Sequence, residues 1–373
     1  MRIVAAIDSF KGSATSEELN QAVVDQAQKQ GCTAINAPIA DGGEGSMEAI
    51  HAAIGGSYRT IEVPDLLFRK CEVSYLLTQW ESQRIAVIES AKIIGLDLLE
   101  EPNESTVRKA SSFGLGEVIK DALGQSAQII IVTLGGSGSS DGGLGLLQSF
   151  GAKLEGSEEG NPLLSVHSID SHLIHKPKDV QLIVAADVTS PYIGEKGAFH
   201  LFGRQKGASD STIKLFEQQA KKISKQLKQQ SGLDLATTAG AGAAGGLGGA
   251  LMLLGAKMQP GFSLVSKLTN LEENIQQSDL VITGEGRLDR QTLQGKVPYG
   301  VARLAQKYHK PVVAVCGSCE TELGELSQVL TANFCIQNGP VTLQEAMEKE
   351  QTLLNIQATC KNIFSLYLFE KKE

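Results

Sequence analysis

The sequence predicts an α/β protein with two domains. Three observations predict this fold class. The chain has 373 residues, enough for about two domains. Short β-branched runs alternate with helical patterns near both termini, whereas the middle shows alternating, hairpin-like segments. We therefore expect a doubly wound parallel-sheet domain built from residues 1–56 and 276–373, with an inserted α/β domain of mixed sheet at 57–275.

The first elements follow the order strand, helix, strand. Residues 3–7 form a short run rich in β-branched side chains, which predicts the first strand. A helix is predicted to open at Ser16, because Glu17 and Glu18 then occupy its first turn, near the positive end of the helix dipole. Residues 34–39 predict the second strand, and a glycine-rich turn then leads into another helix.

The middle of the chain has a different pattern. After a glycine pair at 55–56, alternating segments predict hairpin-like strands, and βα units return toward the C-terminus. In order, the predicted elements are strands at 58–63, 71–77 and 85–89, a helix at 107–123, strands at 129–134 and 182–186, a helix at 211–230, a strand at 280–283, a helix at 297–308, strands at 311–316 and 334–336, and a last helix at 342–368.

Charge and hydropathy exclude several classes of function. The net charge of −8 argues against broad binding to nucleic acid or to an anionic membrane. The apolar stretch at 239–256 contains seven glycines and is shorter than the ~20 residues of a spanning helix. The first apolar run ends at Asp8, too early for a signal peptide. We therefore expect a cytoplasmic protein that acts on small molecules.

Glycine is concentrated in short bursts, and one burst matches the pattern GxGxxG at Gly240, Gly242 and Gly245. A dinucleotide fingerprint needs a strand before the pattern and an acidic residue about 20 positions after it. Neither is present here, so we exclude NAD binding. Close helix packing through small residues and a phosphate-contacting turn both remain open for this segment.

Charged residues follow most of the predicted strands. Ligands in open α/β sheets bind at the carboxyl ends of strands. A single acidic residue there is usually a helix N-cap, but carboxylates, lysines and glycines together suit Mg²⁺, phosphate and phosphoryl transfer. Segments 40–45 and 140–145 share an Asp-Gly-Gly pattern between a strand and a helix, which predicts backbone N–H groups open to an anion.

Six segments carry most of this chemistry: Asp8-Ser9-Phe10-Lys11-Gly12, residues 40–45, residues 135–143, Gln205-Lys206-Gly207-Ala208, residues 240–248 and residues 278–289. With these segments in this order, the chain resembles the bacterial glycerate kinases of the first type, nearly end to end. The resemblance implies ATP as cosubstrate, Mg²⁺ as cofactor and D-glycerate as acceptor. It also implies one flavodoxin-like domain and one domain similar to the restriction-endonuclease core.

Each charged or glycine-rich position can be given an expected role. An alcohol acceptor needs a base or an orienting carboxylate, for which we expect Asp187, with Asp8 as second choice. Lys11 and Lys206 are expected to meet phosphate charge. The remaining expected phosphate- or substrate-binding residues are Ser9, Gly43, Gly135, Gly136, Ser137, Arg287 and Lys296. The candidate metal ligands are Asp41, Glu285 and Asp289.

Several residues depart from the family pattern, which leaves substrate selectivity open. Ile7 stands where proline is usual, Ser190 where asparagine is usual, and Arg204 where proline is usual. The product is expected to be 2-phosphoglycerate, with 3-phosphoglycerate as the alternative. A kinase for a related hydroxy acid and a non-catalytic sensor of sugar acids or nucleotides are further alternatives, and a homo-oligomer is compatible with the sequence.

The expected domain layout also predicts where the site lies. Asp8, Lys11, Asp41 and Glu285 would belong to the terminal domain, whereas Glu89, Ser137, Asp187 and Lys206 would belong to the inserted one. We therefore expect a site in the cleft between the domains, with closure that excludes water from the γ-phosphate.

Overall fold

The computed structural model describes residues 1–156, 160–293 and 295–370. The chain divides into two compact units. The first holds residues 1–41, 48–55 and the chain from 261 onward, and the second holds residues 42–47 and 56–260. The domain boundaries read from the sequence remain a prediction. The units differ from these boundaries at residues 42–47 and 56, which the sequence placed in the terminal domain, and at 261–275, which it placed in the inserted domain.

Strands form along the whole described chain. They are β1 (Arg2–Ile7), β2 (Thr33–Asn36), β3 (Ser57–Pro64), β4 (Lys70–Trp80), β5 (Gln83–Glu89), β6 (Ile129–Thr133), β7 (Lys153–Glu155), β8 (Ser168–Asp170), β9 (Gln181–Ala185), β10 (Lys257–Gln259), β11 (Leu280–Leu288), β12 (Val312–Cys319) and β13 (Ala332–Cys335).

Helices alternate with these strands. They are α1 (Ser16–Lys29), α2 (Ser46–Ile54), α3 (Ala91–Ile94), α4 (Glu104–Lys109), α5 (Phe113–Gly124), α6 (Leu144–Ser149), α7 (Ala198–Phe202), α8 (Asp210–Ser231), α9 (Ala243–Leu253), α10 (Gly261–Leu268), α11 (Leu271–Gln276), α12 (Val297–Lys307), α13 (Leu326–Val329), α14 (Leu343–Ala346) and α15 (Lys349–Glu370). Short 3₁₀ turns occur at Leu96–Leu98, Pro162–Leu164, Arg204–Lys206 and Arg290–Leu293.

The first unit is built on a five-stranded parallel sheet with the order β13-β12-β11-β1-β2. The strands come from both ends of the chain, as the sequence predicted. Apolar side chains of β1 and β11 pack with those of α1 and α15, for example Ile3, Leu19 and Phe364, all fully buried. In parallel sheets all carboxyl ends lie at one edge, so the loops after β1 and β11 leave this sheet side by side.

The second unit is built on a mixed six-stranded sheet with the order β10-β9-β6-β5-β4-β3. The β3–β4 and β4–β5 pairs are antiparallel, as the hairpin pattern predicted, whereas β5, β6, β9 and β10 run parallel. The structure thus confirms an α/β protein with a parallel sheet from both termini and a mixed sheet between. A separate two-stranded pair joins β7 and β8.

The predicted helix at 107–123 is wrong in one respect, because the structure breaks it into α4 and α5. The break lies at residues 110–112. There the backbone N–H of Ser112 donates to the Asp141 carboxylate at 2.7 Å, and the Ser112 hydroxyl donates to the same oxygen at 2.8 Å. A carboxylate from elsewhere in the chain therefore takes the donor that a continuous helix would use. The predicted last helix at 342–368 is likewise divided into α14 and α15.

The glycine-rich stretch forms α9 and the turn before it, and its small residues allow close packing. A Cβ atom on Gly242 would lie 2.1 Å from the Pro191 carbonyl oxygen, and one on Gly245 would lie 2.3 Å from that of Ser139. Three consecutive residues, Ala244 to Gly246, have left-handed backbone angles, which glycine adopts without strain. The packing interpretation of the GxGxxG pattern is therefore confirmed.

Among the described residues, no helix is both long enough and apolar enough to cross a membrane.

A glycine substitution tests this packing. We expect Gly242→Ala to lower the free energy of unfolding by about 1–3 kcal/mol, because the new methyl group overlaps the Pro191 carbonyl. Gly124→Ala is the matched control, since its methyl group would meet no atom within 4 Å. Urea unfolding of both variants measures the difference. Equal stability of the two variants would contradict the packing described for α9.

Candidate active site

Three parallel strands of the second unit end at the same edge of their sheet. Glu89 of β5 is in register with Thr133 of β6, which is in register with Ala185 of β9. Gly135 and Asp187 each follow two residues beyond their strand, so both leave the sheet at this edge. The backbone N–H of Leu134 donates to the Ala185 carbonyl at 3.2 Å, which keeps the two chains together as they leave.

Lys206 brings its side chain into the loop that follows β6. Only 2% of Lys206 is exposed. Its ammonium donates to the Ser137 hydroxyl at 3.0 Å and to the Ser139 carbonyl at 2.6 Å. Burial lowers the pKa of Lys206 to about 7, and the negative charge of Asp141 opposes that shift. Two residues that the sequence singled out separately, Ser137 and Lys206, are thus in direct contact.

The glycines of this edge have a packing role of their own. A Cβ atom on Gly135 would lie 2.9 Å from the Gly43 Cα atom, so these two loops meet backbone to backbone. Gly136 has a φ of +64°, in the left-handed region. Close approach and backbone angle therefore explain glycine at these positions, independently of the phosphate-binding role expected from the sequence.

Asp187 follows β9 and is half-buried. The loop after it is fixed from the glycine-rich stretch, because the Gly242 N–H donates to the Ser190 carbonyl at 3.0 Å. Ser190 itself is buried. Asp187 is thus placed by a rigid strand on one side and by an anchored loop on the other.

We expected the backbone N–H groups at residues 40–45 and 140–145 to be open to an anion, and the structure corrects this expectation. The Met47 N–H donates to the buried Glu89 carboxylate at 2.8 Å. The N–H groups of Gly143 and Gly145 donate to the Asp141 carboxylate at 3.0 and 3.1 Å. Internal carboxylates therefore take donors that we expected an external anion to use. Sequence reasoning missed this role of Glu89 and Asp141, since spacing does not show which acid reaches which N–H.

In the first unit, Asp8 and Glu285 lie at the edge where β1 and β11 meet. The Asp8 N–H donates to the Gly284 carbonyl at 2.9 Å, which places Asp8 directly beside Glu285 in the neighbouring strand. Burial raises the pKa of Asp8 well above its usual range, and the negative charges of Asp41 and Glu285 raise it further. The Ser9 N–H and the charge of Lys11 act in the opposite direction. Asp8, Lys11, Asp41 and Glu285 are thus close enough to share one electrostatic environment.

Glu285 has protein partners for both carboxylate oxygens. One accepts from the Thr292 hydroxyl, and the other pairs with the Lys296 ammonium at 3.1 Å. Burial raises the pKa of Glu285, and these two contacts oppose the shift. Lys296 is therefore held by Glu285, in contact with a residue expected to bind metal.

Arg287 and Asp289 lie at the end of β11 and just beyond it. The Arg287 guanidinium, 65% exposed, lies 3.6 Å from Asp289 and 3.3 Å from Glu320. The Asp289 carboxylate also accepts from the Gln291 N–H at 2.8 Å, so it caps the following 3₁₀ turn. These contacts give Asp289 a local structural role beside the expected metal role.

Metal binding can be tested against this geometry. Among residues 1–156, 160–293 and 295–370, no three His, Cys, Asp or Glu side chains are grouped so that they could hold an ion. Mg²⁺ is commonly bound through only one or two carboxylates together with phosphate oxygens and water. Asp8 and Asp41 are two carboxylates whose charges repel each other, which fits that requirement. Asp8, Glu285 and Asp289 each also accept from a protein donor.

The comparisons with known proteins agree with one another. The chain is 40% identical over 357 residues to glycerate 2-kinase of Escherichia coli, covering 93% of each chain. It is 37% identical over 369 residues to glycerate kinase of Halalkalibacterium halodurans, covering 94% of this chain and 95% of the relative. A crystal structure assigned as glycerate kinase 2 of Salmonella typhimurium LT2 superposes with a TM-score of 0.86 at 33% identity, over the full length of both chains.

The match to a protein family covers almost the whole chain. Residues 3–368 match the Glycerate kinase family, a span that includes both sheets and every charged residue described above. The chain therefore belongs to the glycerate kinase family.

Proposed function

We propose that this glycerate kinase transfers the γ-phosphoryl group of ATP to the 2-hydroxyl of D-glycerate, giving 2-phosphoglycerate and ADP. The family supplies the kinase activity and the use of ATP. The choice of hydroxyl is supported by the Escherichia coli relative, named glycerate 2-kinase. Transfer to the 3-hydroxyl and phosphorylation of a related hydroxy acid are the alternatives. A non-catalytic sensor is not supported, since the whole chain matches a family of kinases.

The observation that carries the proposal is the buried ammonium of Lys206. Phosphoryl transfer depends on positioning and on stabilising negative charge at the phosphate oxygens. The ammonium has three donor positions, and the Ser137 hydroxyl and the Ser139 carbonyl use two of them. We propose that a phosphate oxygen either accepts from the third donor position of the ammonium or replaces one of the two present acceptors. A charge held in a buried loop acts more strongly than one in water.

Asp187 is the proposed base. The acceptor hydroxyl must lose a proton to a nearby group as its oxygen bonds to phosphorus, and a carboxylate is suited to accept that proton. Asp187 leaves the same sheet edge as the Ser137 loop and is anchored on both sides. Asp8 is the alternative base, and its raised pKa supports a role in proton transfer.

The first unit supplies the proposed cation site. We propose that Asp8 and Asp41 hold Mg²⁺ and that Lys11 and Ser9 contact phosphate. When bound, Mg²⁺ would neutralise phosphate charge. Glu285 and Asp289 are the further proposed metal ligands, and both also accept from protein donors. The remaining proposed contacts to phosphate or substrate are Gly43, Gly135, Gly136, Ser137, Arg287 and Lys296.

The finer fold assignment is also a proposal. Numbered within its sheet, the first unit has the strand order 2-1-3-4-5, which is the flavodoxin-like order. In that order the switch point lies between the first and third strands, here β1 and β11, where Asp8 and Glu285 stand. We assign the mixed sheet to a restriction-endonuclease-like core on the resemblance alone. The cytoplasmic location and a homo-oligomer remain predictions from the sequence.

The reaction can be tested by identifying the product. With ATP, Mg²⁺ and D-glycerate, we expect ADP release and a phosphate ester whose ³¹P signal is split into a doublet, because phosphorus at the 2-position couples to one carbon-bound hydrogen. A triplet would show 3-phosphoglycerate and overturn the choice of hydroxyl. EDTA should abolish ADP release, and full activity in EDTA would refute the role of Mg²⁺.

The proposed base predicts a specific loss of rate. Asp187→Asn keeps the shape of the side chain but cannot accept the proton, so kcat should fall by about 10²- to 10⁴-fold. The KM for ATP should change little. The control is Asp210→Asn, at an exposed carboxylate in the first turn of α8. A kcat for Asp187→Asn within a few-fold of the control would refute the assignment and transfer the role to Asp8.

The proposed charge of Lys206 predicts a pH dependence. The ammonium form should be the active one, so kcat/KM for ATP, which reports the free enzyme, should fall as the pH rises through about 7. Bound phosphate stabilises the ammonium, so the corresponding fall in kcat should lie at higher pH. Lys206→Arg provides the comparison, because an arginine does not titrate in this range. The same alkaline fall in Lys206→Arg would exclude Lys206 as its source.

A further inference from the structure

Asp141 has no assigned role in the reaction, yet its carboxylate at the second unit's carboxyl edge accepts from several backbone and hydroxyl groups. It is fully buried. One oxygen accepts from the N–H groups of Ser112 and Gly145 and from the Ser112 hydroxyl, at 2.7–3.1 Å. The Ser111 hydroxyl lies at 3.5 Å from the same oxygen, and the Gly143 N–H donates to the other oxygen at 3.0 Å.

These bonds connect three parts of the chain to the loop that follows β6. Ser112 lies where α4 and α5 separate, and its hydroxyl also accepts the Leu146 N–H at 2.9 Å. Gly143 and Gly145 begin α6. The Gly142 N–H donates to the Gly245 carbonyl at 3.0 Å. The residues just before Asp141 in this loop, Ser137 and Ser139, are those that hold the Lys206 ammonium.

Electrostatics connect Asp141 to Lys206 as well. Both side chains are buried, and the charge of Asp141 favours the ammonium form of Lys206. The contacts of Lys206 are to Ser137 and Ser139, whereas those of Asp141 are to residues 111–112 and 143–145, so the two charges act across the loop without a direct ion pair. Tyr192 is a further titratable group beside this loop. Its hydroxyl donates to the Gly142 carbonyl at 2.8 Å, and burial raises its pKa so far that it stays neutral.

We propose that Asp141 is a positioning residue: its carboxylate fixes the loop around Lys206, and its negative charge keeps Lys206 in the ammonium form that binds phosphate. The inference rests on the proposed role of Lys206 in catalysis. An uncompensated buried ammonium tends to lose its proton, and a buried carboxylate nearby is the physical means of preventing that loss. An aspartate is required because each of its contacts is with a donor, and an asparagine amide would oppose at least one of them.

Charge and packing can be separated with two variants. Asp141→Asn removes the charge, and Ser112→Ala removes one donor to the same carboxylate but leaves its charge. We expect Asp141→Asn to move the alkaline fall of kcat/KM to lower pH by about one unit or more. Ser112→Ala should lower the melting temperature but leave that fall at the wild-type pH. These two variants test the inference when Lys206→Arg lacks the alkaline fall, so that the fall belongs to Lys206. The inference is then overturned if Asp141→Asn leaves the fall in place, or if Ser112→Ala moves it equally.

A second measurement does not depend on activity and serves if Asp141→Asn does not fold. In Lys206→Met, Asp141 loses its buried cation, so its folded-state pKa rises further above the unfolded value near 3.9. A carboxyl group whose pKa is higher in the folded than in the unfolded protein lowers the free energy of unfolding progressively as the pH rises from the unfolded-state value toward the folded-state value. The melting temperature of Lys206→Met relative to wild type should therefore fall between about pH 4.5 and 7. A constant difference across this range would refute the coupling.

The two measurements also distinguish the inference from the proposed function. Suppose that the melting-temperature difference between Lys206→Met and wild type widens with pH, while the Lys206→Arg enzyme shows the same alkaline fall as wild type. The inference is then supported, and only the catalytic role of Lys206 fails. If the gap stays constant, the inference fails, whatever the activity of the variants.

Discussion

A buried lysine ammonium must find its partners within the protein, and in this molecule the loops at the carboxyl edge of the mixed sheet supply them for Lys206. Transfer of a charge out of water costs several kcal/mol unless polar groups replace the lost hydration. The Ser137 hydroxyl and the Ser139 carbonyl do so directly, and the charge of Asp141 does so across the loop. Each of these residues lies in one short segment after β6, so the position of that segment determines the state of the lysine.

The segment after β6 is in turn held by glycines. A Cβ atom on Gly245 would lie 2.3 Å from the Ser139 carbonyl oxygen, and one on Gly246 would lie 2.6 Å from the Gly142 Cα atom, so no side chain fits at either position. These glycines allow two backbone segments to meet beside Lys206. The energetic cost of ordering glycine is offset there by hydrogen bonds to buried carbonyl and N–H groups.

Much of the architecture could be predicted from the sequence, because β-branched runs and their spacing determine where strands form. Ten of the eleven strands in the two large sheets, the hairpins and the residues that follow each of these strands were predicted close to their observed positions, whereas the edge strand β10 was missed. The break between α4 and α5 could not be predicted, since it depends on Asp141, about 30 residues away. For the same reason sequence reasoning placed open N–H groups where Glu89 and Asp141 now accept. Local patterns show which residues can donate or accept, whereas long-range pairing decides which of them do.

We propose Lys206 as the cation that meets the transferred phosphate. The most direct test is a crystal structure with D-glycerate and a non-hydrolysable ATP analogue. We expect a phosphate oxygen within hydrogen-bond distance, about 3 Å, of the Lys206 Nζ atom. Bound phosphates that leave Lys206 in contact with Ser137 and Ser139 alone would contradict this role.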